Sequence, residues 1–130
     1  KSTIITNYFL KLLCIVLIIF SFINPSANAS KINWIEISKT PNGIQSWDED
    51  SLIKKDKGII EISTKYLKIN AINTNEIEEN IYRMQINCKT DKYKDISVNG
   101  EKVSNAKWED PNGDKLIIDA ISKSCKTAFF

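Results

Sequence analysis

Apolar residues in this 130-residue chain recur at every second position in one stretch after another, and the period changes only past Gly113. Alternation puts one face of a strand in a core and the other in water, the pattern of an antiparallel sheet covered on one side. The clearest run is IIEISTKYLKIN, where Ile60, Ile62, Thr64 and Tyr66 face one way and Glu61, Ser63 and Lys65 the other. YRMQINCK repeats the pattern, with Tyr82, Met84, Ile86 and Cys88 opposite Arg83, Gln85, Asn87 and Lys89. Shorter strands are expected in NWIEIS, with Trp34 and Glu36 opposite Ile35 and Ile37, and from Ile44 to Trp47 after the turn TPNG. YKDISVNG alternates through Ile96 and Val98 after the turn KTDK, and a last short strand is expected to end near Trp108. DEDSLIKKDKG reads as a connection, and AINTNEIEEN as a loop or one turn of helix.

After Asn112-Gly113 the apolar positions Leu116, Ile117, Ala120, Ile121 and Ser124 fall on one face of a helix. Asn112 or Asp114 can cap it, and the spacing predicts a helix from Asp114 to Cys125. Its stripe has only the sheet to bury itself on. The fold class is therefore α+β, a mainly antiparallel sheet of five or six strands with one C-terminal helix packed on one face.

Residues 1–29 have the layout of a secretory signal peptide: Lys1 and Lys11, an apolar run from Leu12 to Ile23, Asn24-Pro25, then Ala27-Asn28-Ala29. The apolar run is short of the roughly 20 residues that span a bilayer. Cleavage is expected between Ala29 and Ser30, leaving residues 30–130 as a single domain without a membrane span; the alternative is an uncleaved anchor. Lys and Arg number 18 against 16 Asp and Glu, and two of those lysines lie in the leader. The remainder is formally neutral and has one arginine, Arg83, so neither composition nor charge points to nucleic acid. Cys14 leaves with the leader, and Cys88 and Cys125 then have one intramolecular pairing open to them. They form either that bridge or two free thiols, and export to an oxidising compartment favours the bridge. A bridge would lock the end of the helix onto the apolar face of the strand that carries Cys88.

The chain has no histidine, which removes the commonest general base, the commonest transition-metal ligand and every Ser-His or Cys-His arrangement. Asp48-Glu49-Asp50 and Glu76, Glu78 and Glu79 are crowded acids without apolar neighbours, a solvated surface rather than a paired acid and base. DEDS lacks the alternating oxygens, central glycine and closing acid of a calcium loop. No enzyme activity, metal or cofactor is expected. Trp34, Trp47 and Trp108 are the candidate ligand-binding residues, because aromatic rings with a polar edge are favoured at recognition surfaces; their other reading is core.

NWIEI, the run Trp47-Asp48-Glu49-Asp50-Ser51-Leu52, IYRMQINCK followed by YKDISV, and Trp108 before a helix and a terminal cysteine occur here in an order that resembles the surface-adhesin protein E-like family. The resemblance runs from Trp34 to Cys125. It implies an exported bacterial protein with an antiparallel sheet and a C-terminal helix disulfide-bonded to it through Cys88 and Cys125. EDPNGDK, between Trp108 and the helix, is shorter and more acidic than the family pattern. The function implied is a non-enzymatic, adhesin-like binding module in the periplasm, on the cell surface or secreted, taking a protein or other extracellular macromolecule. An accessory envelope protein without an external ligand is the competing reading.

The leader generates the first prediction. N-terminal sequencing of the exported protein is expected to start at Ser30; a protein that keeps Leu12 to Ile23 and fractionates with the inner membrane would show an anchor instead.

Overall fold

The alternating stretches become one antiparallel sheet whose strands lie side by side in chain order: β1 (Ile35–Thr40), β2 (Gly43–Lys54), β3 (Ile59–Ile69), β4 (Ile77–Asn87), β5 (Lys92–Val98) and β6 (Glu101–Lys102). A computed structural model of the chain describes residues 3–11, 31–69 and 77–130. The chain divides into two units, residues 1–31 and 32–130. In the first, residues 3–11 are helical (α1). The apolar run from Leu12 to Ile23 and the Ala29-Ser30 junction lie outside the described residues, as do residues 70–76 between β3 and β4.

Chain-order pairing follows from short connections. Pro41-Asn42 turns β1 into β2, and a 3-10 turn (Asp56–Gly58), with Lys57 and Gly58 at φ 60° and 77°, leads into β3. Asn99-Gly100, with φ 50° and 82°, supplies the two left-handed residues that a tight hairpin between β5 and β6 requires. β3 and β4 pair without interruption from Ile59 opposite Asn87 to Ile69 opposite Ile77.

The strand boundaries differ from the sequence expectation in three places. β2 does not stop at Trp47 but continues to Lys54, because β3 offers it a long edge to pair with. Its acidic middle is absorbed in a bulge between Asp48 and Ile53. Ile77 to Asn80, expected in a loop or helical turn, opens β4. The last strand is only Glu101–Lys102, and the chain then runs irregularly past Trp108 until Glu109 forms a single bridge to Tyr93.

Helix α2 (Lys115–Phe129) is capped by Asp114, which accepts from the backbone N–H groups of Leu116 and Ile117. It runs one turn beyond Cys125, because Lys126-Thr127-Ala128 carries no breaker and Ala128 is buried against the core. Its expected apolar face is the one observed, with Leu116, Ala120, Ile121 and Ser124 buried. Ser124 is accommodated there because its hydroxyl donates back to the Ala120 carbonyl at 2.6 Å. The helix packs chiefly on β1 and β2 and reaches the margin of β3. Beneath it lie Trp47, Ile60, Ile62, Met84 and Ile86.

Cys88, just past β4, is disulfide-bonded to Cys125, with the two Cα atoms 5.7 Å apart. The bridge closes a loop across 37 positions, worth about 4 kcal/mol on the chain-entropy model. Cys88→Ala and Cys125→Ala should therefore each cost about 2–5 kcal/mol in chemical denaturation. The double variant should cost little more than either single one, since the same bond is lost each time. Additive losses would show that the cysteines contribute separately, through packing rather than through the bond.

Candidate functional site

Because α2 sits over β1 and β2, the inner face of β4 and β5 is left open beside the helix N-terminus, and a cleft of about 330 Å³ lies there. Tyr66 of β3, Tyr82 of β4 and Tyr93 of β5 line it, with Asp95 on β5, Gln45 on β2 and Met84 in the floor. Leu116 and Ile117 of the first helical turn, and the cap Asp114, form the opposite side. The volume is at the lower end of the usual range for small-ligand sites.

Each wall residue is placed by an identifiable local feature. Gly43 leaves room for the Tyr66 ring: a Cβ at that position would stand 2.3 Å from Tyr66 Cε2. The Tyr66 hydroxyl donates to the Asn42 carbonyl at 3.3 Å. Thr64, fully buried, donates to the Met84 sulfur at 3.2 Å and so needs no water. On β5 the register slips by one residue between Ser97, opposite Arg83, and Asp95, opposite Met84. That bulge at Ile96 puts Tyr93 and Asp95 on the same inner face as Val98.

Asp95 is the chemically unusual member. Burial, reinforced by the nearby charge of Glu109, pushes its carboxyl up to about 6 from an ordinary 3.8. Among the described residues nothing donates a hydrogen bond to it and no cation pairs with it. Burial also raises the phenols of Tyr82 and Tyr93, helped by Asp95 and Glu78 for the first and by Glu109, Asp95 and Asp114 for the second. Both are neutral donors at physiological pH. Gln45 is 3% exposed, and its side-chain amide likewise has no hydrogen-bond partner. Among the described residues no lysine or arginine lines the cleft.

The outer face is different in kind. Arg83 donates through Nε to Glu61 at 2.7 Å and through Nη1 to the Ser63 hydroxyl at 3.0 Å and the Ser51 carbonyl at 3.2 Å. Burial works to raise the Glu61 carboxyl, but hydrogen bonds from Arg83 and Gln85, with the charges of Arg83 and Lys55, hold it below its usual value. The Ser51 hydroxyl donates to the Asp48 carbonyl and accepts from the Ser63 N–H, while Asp48 accepts from the Asp50 N–H. The Trp47-to-Leu52 motif is thus the β2 bulge itself: Trp47 and Leu52 pack on the core at either end, and the polar residues between close the turn. Glu78 pairs with Lys68 and Glu79 with Lys65, while Glu76 lies outside the described residues. Among the described residues no cluster of three or more acids and cysteines could hold a metal.

The three tryptophans are not brought together. Trp47 is sealed in the core, where its Nε1–H has no acceptor. Trp34 is half-buried with the Lys65 ammonium 5.2 Å from its ring, and Trp108 lies 4.7 Å from Lys94. Phe129 takes the Lys54 ammonium at 5.4 Å, and Phe130 is fully exposed. Sequence reasoning missed the cleft residues although alternation had put Tyr66 and Tyr82 on the inner face. It had no signal for Asp95, which the β5 bulge turns inward.

The family model of the surface adhesin-E family matches residues 35–129, from the first residue of β1 to the last of α2. The chain belongs to the surface adhesin-E family. No curated protein and no solved structure matches it. The family match spans the whole sheet, the helix and both cysteines, so the cleft of this surface adhesin-E member lies entirely within the family domain.

The raised Asp95 carboxyl makes stability depend on pH. A carboxyl whose folded pKa exceeds its unfolded value stabilises at low pH, and that contribution is lost as pH rises through the folded value, here between about 4 and 6. Ionised Asp95 then costs on the order of 2 kcal/mol, since solvent screens the partly exposed carboxyl. Asp95→Asn is expected to stabilise the protein by on the order of 2 kcal/mol at pH 7.5 and to match the wild type within about 1 kcal/mol at pH 4. Urea denaturation at the two pH values checks this; an equal gain at both would trace to packing instead.

Proposed function

We propose that this surface adhesin-E member is an exported, non-catalytic binding module that engages an external macromolecule through the cleft beside the N-terminus of α2. Residues 1–29 are its signal peptide in this reading, and residues 30–130 act as one domain outside the cytoplasm. The open cleft carries the reading: three tyrosines and two unpartnered polar side chains face it where a purely structural domain would bury or pair them. Family membership points the same way, the disulfide is at home outside the cytoplasm, and no helix among the described residues is long and apolar enough to cross a membrane.

An accessory envelope role draws on the outer face. There the charges are paired among themselves, Arg83 with Glu61 and Lys65 with Glu79, and Trp34 and Trp108 are each covered by a lysine. Such a face has satisfied its own groups and offers little to a partner.

Display on the surface of a non-adherent bacterium separates the two readings. The wild type is expected to raise attachment to cultured cells or to immobilised extracellular-matrix protein. Tyr93→Ser should remove most of that gain while leaving the displayed amount and the disulfide intact, and Lys126→Ala should leave it unchanged. No gain from the wild type on any surface would favour the accessory role.

A further inference from the structure

The chemistry of the cleft restricts what can enter it. Asp95 supplies a carboxylate without a counter-ion, and Gln45, 97% removed from solvent, supplies an amide carbonyl without a donor. Both line the same space as the rings of Tyr66, Tyr82 and Tyr93. An anion is disfavoured, since among the described residues no lysine or arginine faces the cleft and the nearby acids are Asp95, Asp114 and Glu109. The helix N-terminus does not reverse this, because Asp114 already occupies the N–H groups of Leu116 and Ile117. A neutral apolar group would leave both oxygens unpaired in a partly dry site, which costs free energy. A cation satisfies the Asp95 carboxylate and is attracted by the tyrosine faces as well.

Taking the cleft as the binding site, we propose that it receives a primary alkylammonium group, whose N–H donors pair with the Asp95 carboxylate while its alkyl stem lies against the tyrosines toward Gln45. A primary ammonium suits this set better than a quaternary one. It has N–H donors to give, and the unpaired Asp95 carboxylate can accept them, whereas a quaternary group has none. The group can come from a lysine side chain of a protein or from a free alkylamine. The volume of about 330 Å³ accommodates one such chain.

Titration of the disulfide-bonded protein at pH 7.5, followed by tyrosine and Asp95 side-chain NMR signals, tests the assignment with four probes: n-butylammonium, the uncharged and one-methylene-longer alcohol 1-pentanol, Nα-acetyl-lysine amide and its Nε-trimethyl form. Butylammonium is expected to shift the cleft signals and to bind at least about tenfold more tightly than pentanol. Asp95→Asn should abolish most of that preference while keeping a native spectrum. Tighter binding of acetyl-lysine amide than of butylammonium identifies a protein lysine as the source, and the reverse order identifies a free amine; either supports the site. Equal binding of pentanol, stronger binding of the trimethyl form, an unchanged affinity in Asp95→Asn, or no shift with any probe overturns it. These outcomes are independent of surface attachment: a displayed protein that adheres while its cleft ignores amines keeps the binding-module reading and loses the ammonium site.

Discussion

One helix cannot cover six strands. Strands stand about 4.8 Å apart, so the sheet is roughly 24 Å across, whereas a helix with its side chains is about 10–12 Å wide. α2 therefore has to choose a side, and its apolar stripe places it over β1 and β2. Much of the rest follows from that choice. The core concentrates under the helix, around Trp47, Ile60 and Ile62. The β4–β5 side of the same face is left to line a cleft, and residues placed there are neither fully wet nor fully packed. Asp95, Tyr82 and Tyr93 occupy this intermediate zone, which is why their ionisation is displaced from ordinary values.

The disulfide acts against the same imbalance. A helix resting on two or three strands has a limited apolar contact to hold it. The bond from Cys125 to Cys88 ties its C-terminal half across to the end of β4, at the opposite end of the helix from the cleft.

How much could be read from sequence depends on whether a residue obeyed a period. Ile60, Ile62, Met84 and Ile86 alternate strictly and are buried as the alternation predicts; Leu116, Ala120 and Ile121 keep helical spacing and form the helix face. The disulfide was legible for a different reason, that only two cysteines lie beyond residue 29. Bulges are where the reading failed. The one in β1 between Glu36 and Ser38 breaks the two-residue period that set Ser38 on the side of Trp34 and Glu36, so Ser38 lies opposite Gln45 and is buried. In β2 the acidic run Asp48–Asp50 resembled a connection because a bulge carries loop-like residues inside a strand. In β5 a slip of one residue exchanged the faces, and with that the one charged residue of functional interest moved from the expected outer side to the inner.

That last displacement links the fold to the site. Without the Ile96 bulge, Asp95 would point outward with Lys94's neighbours on the charged face, where Arg83, Lys55 and Lys65 are available and a carboxylate is inexpensive. With it, the carboxylate lies among tyrosines next to Glu109 and has no cation of its own. The Gln45 amide and the buried indole N–H of Trp47 are further unmet polar groups in the same small domain. Three such groups are a considerable burden for a fold of this size, whose usual margin is only about 5–15 kcal/mol. The cross-link through Cys88 and Cys125 is of the right magnitude to offset it. The bridge and the unpaired carboxylate are then two halves of one arrangement: a covalent constraint supplies the stability that lets an electrostatically unsatisfied cleft stay open.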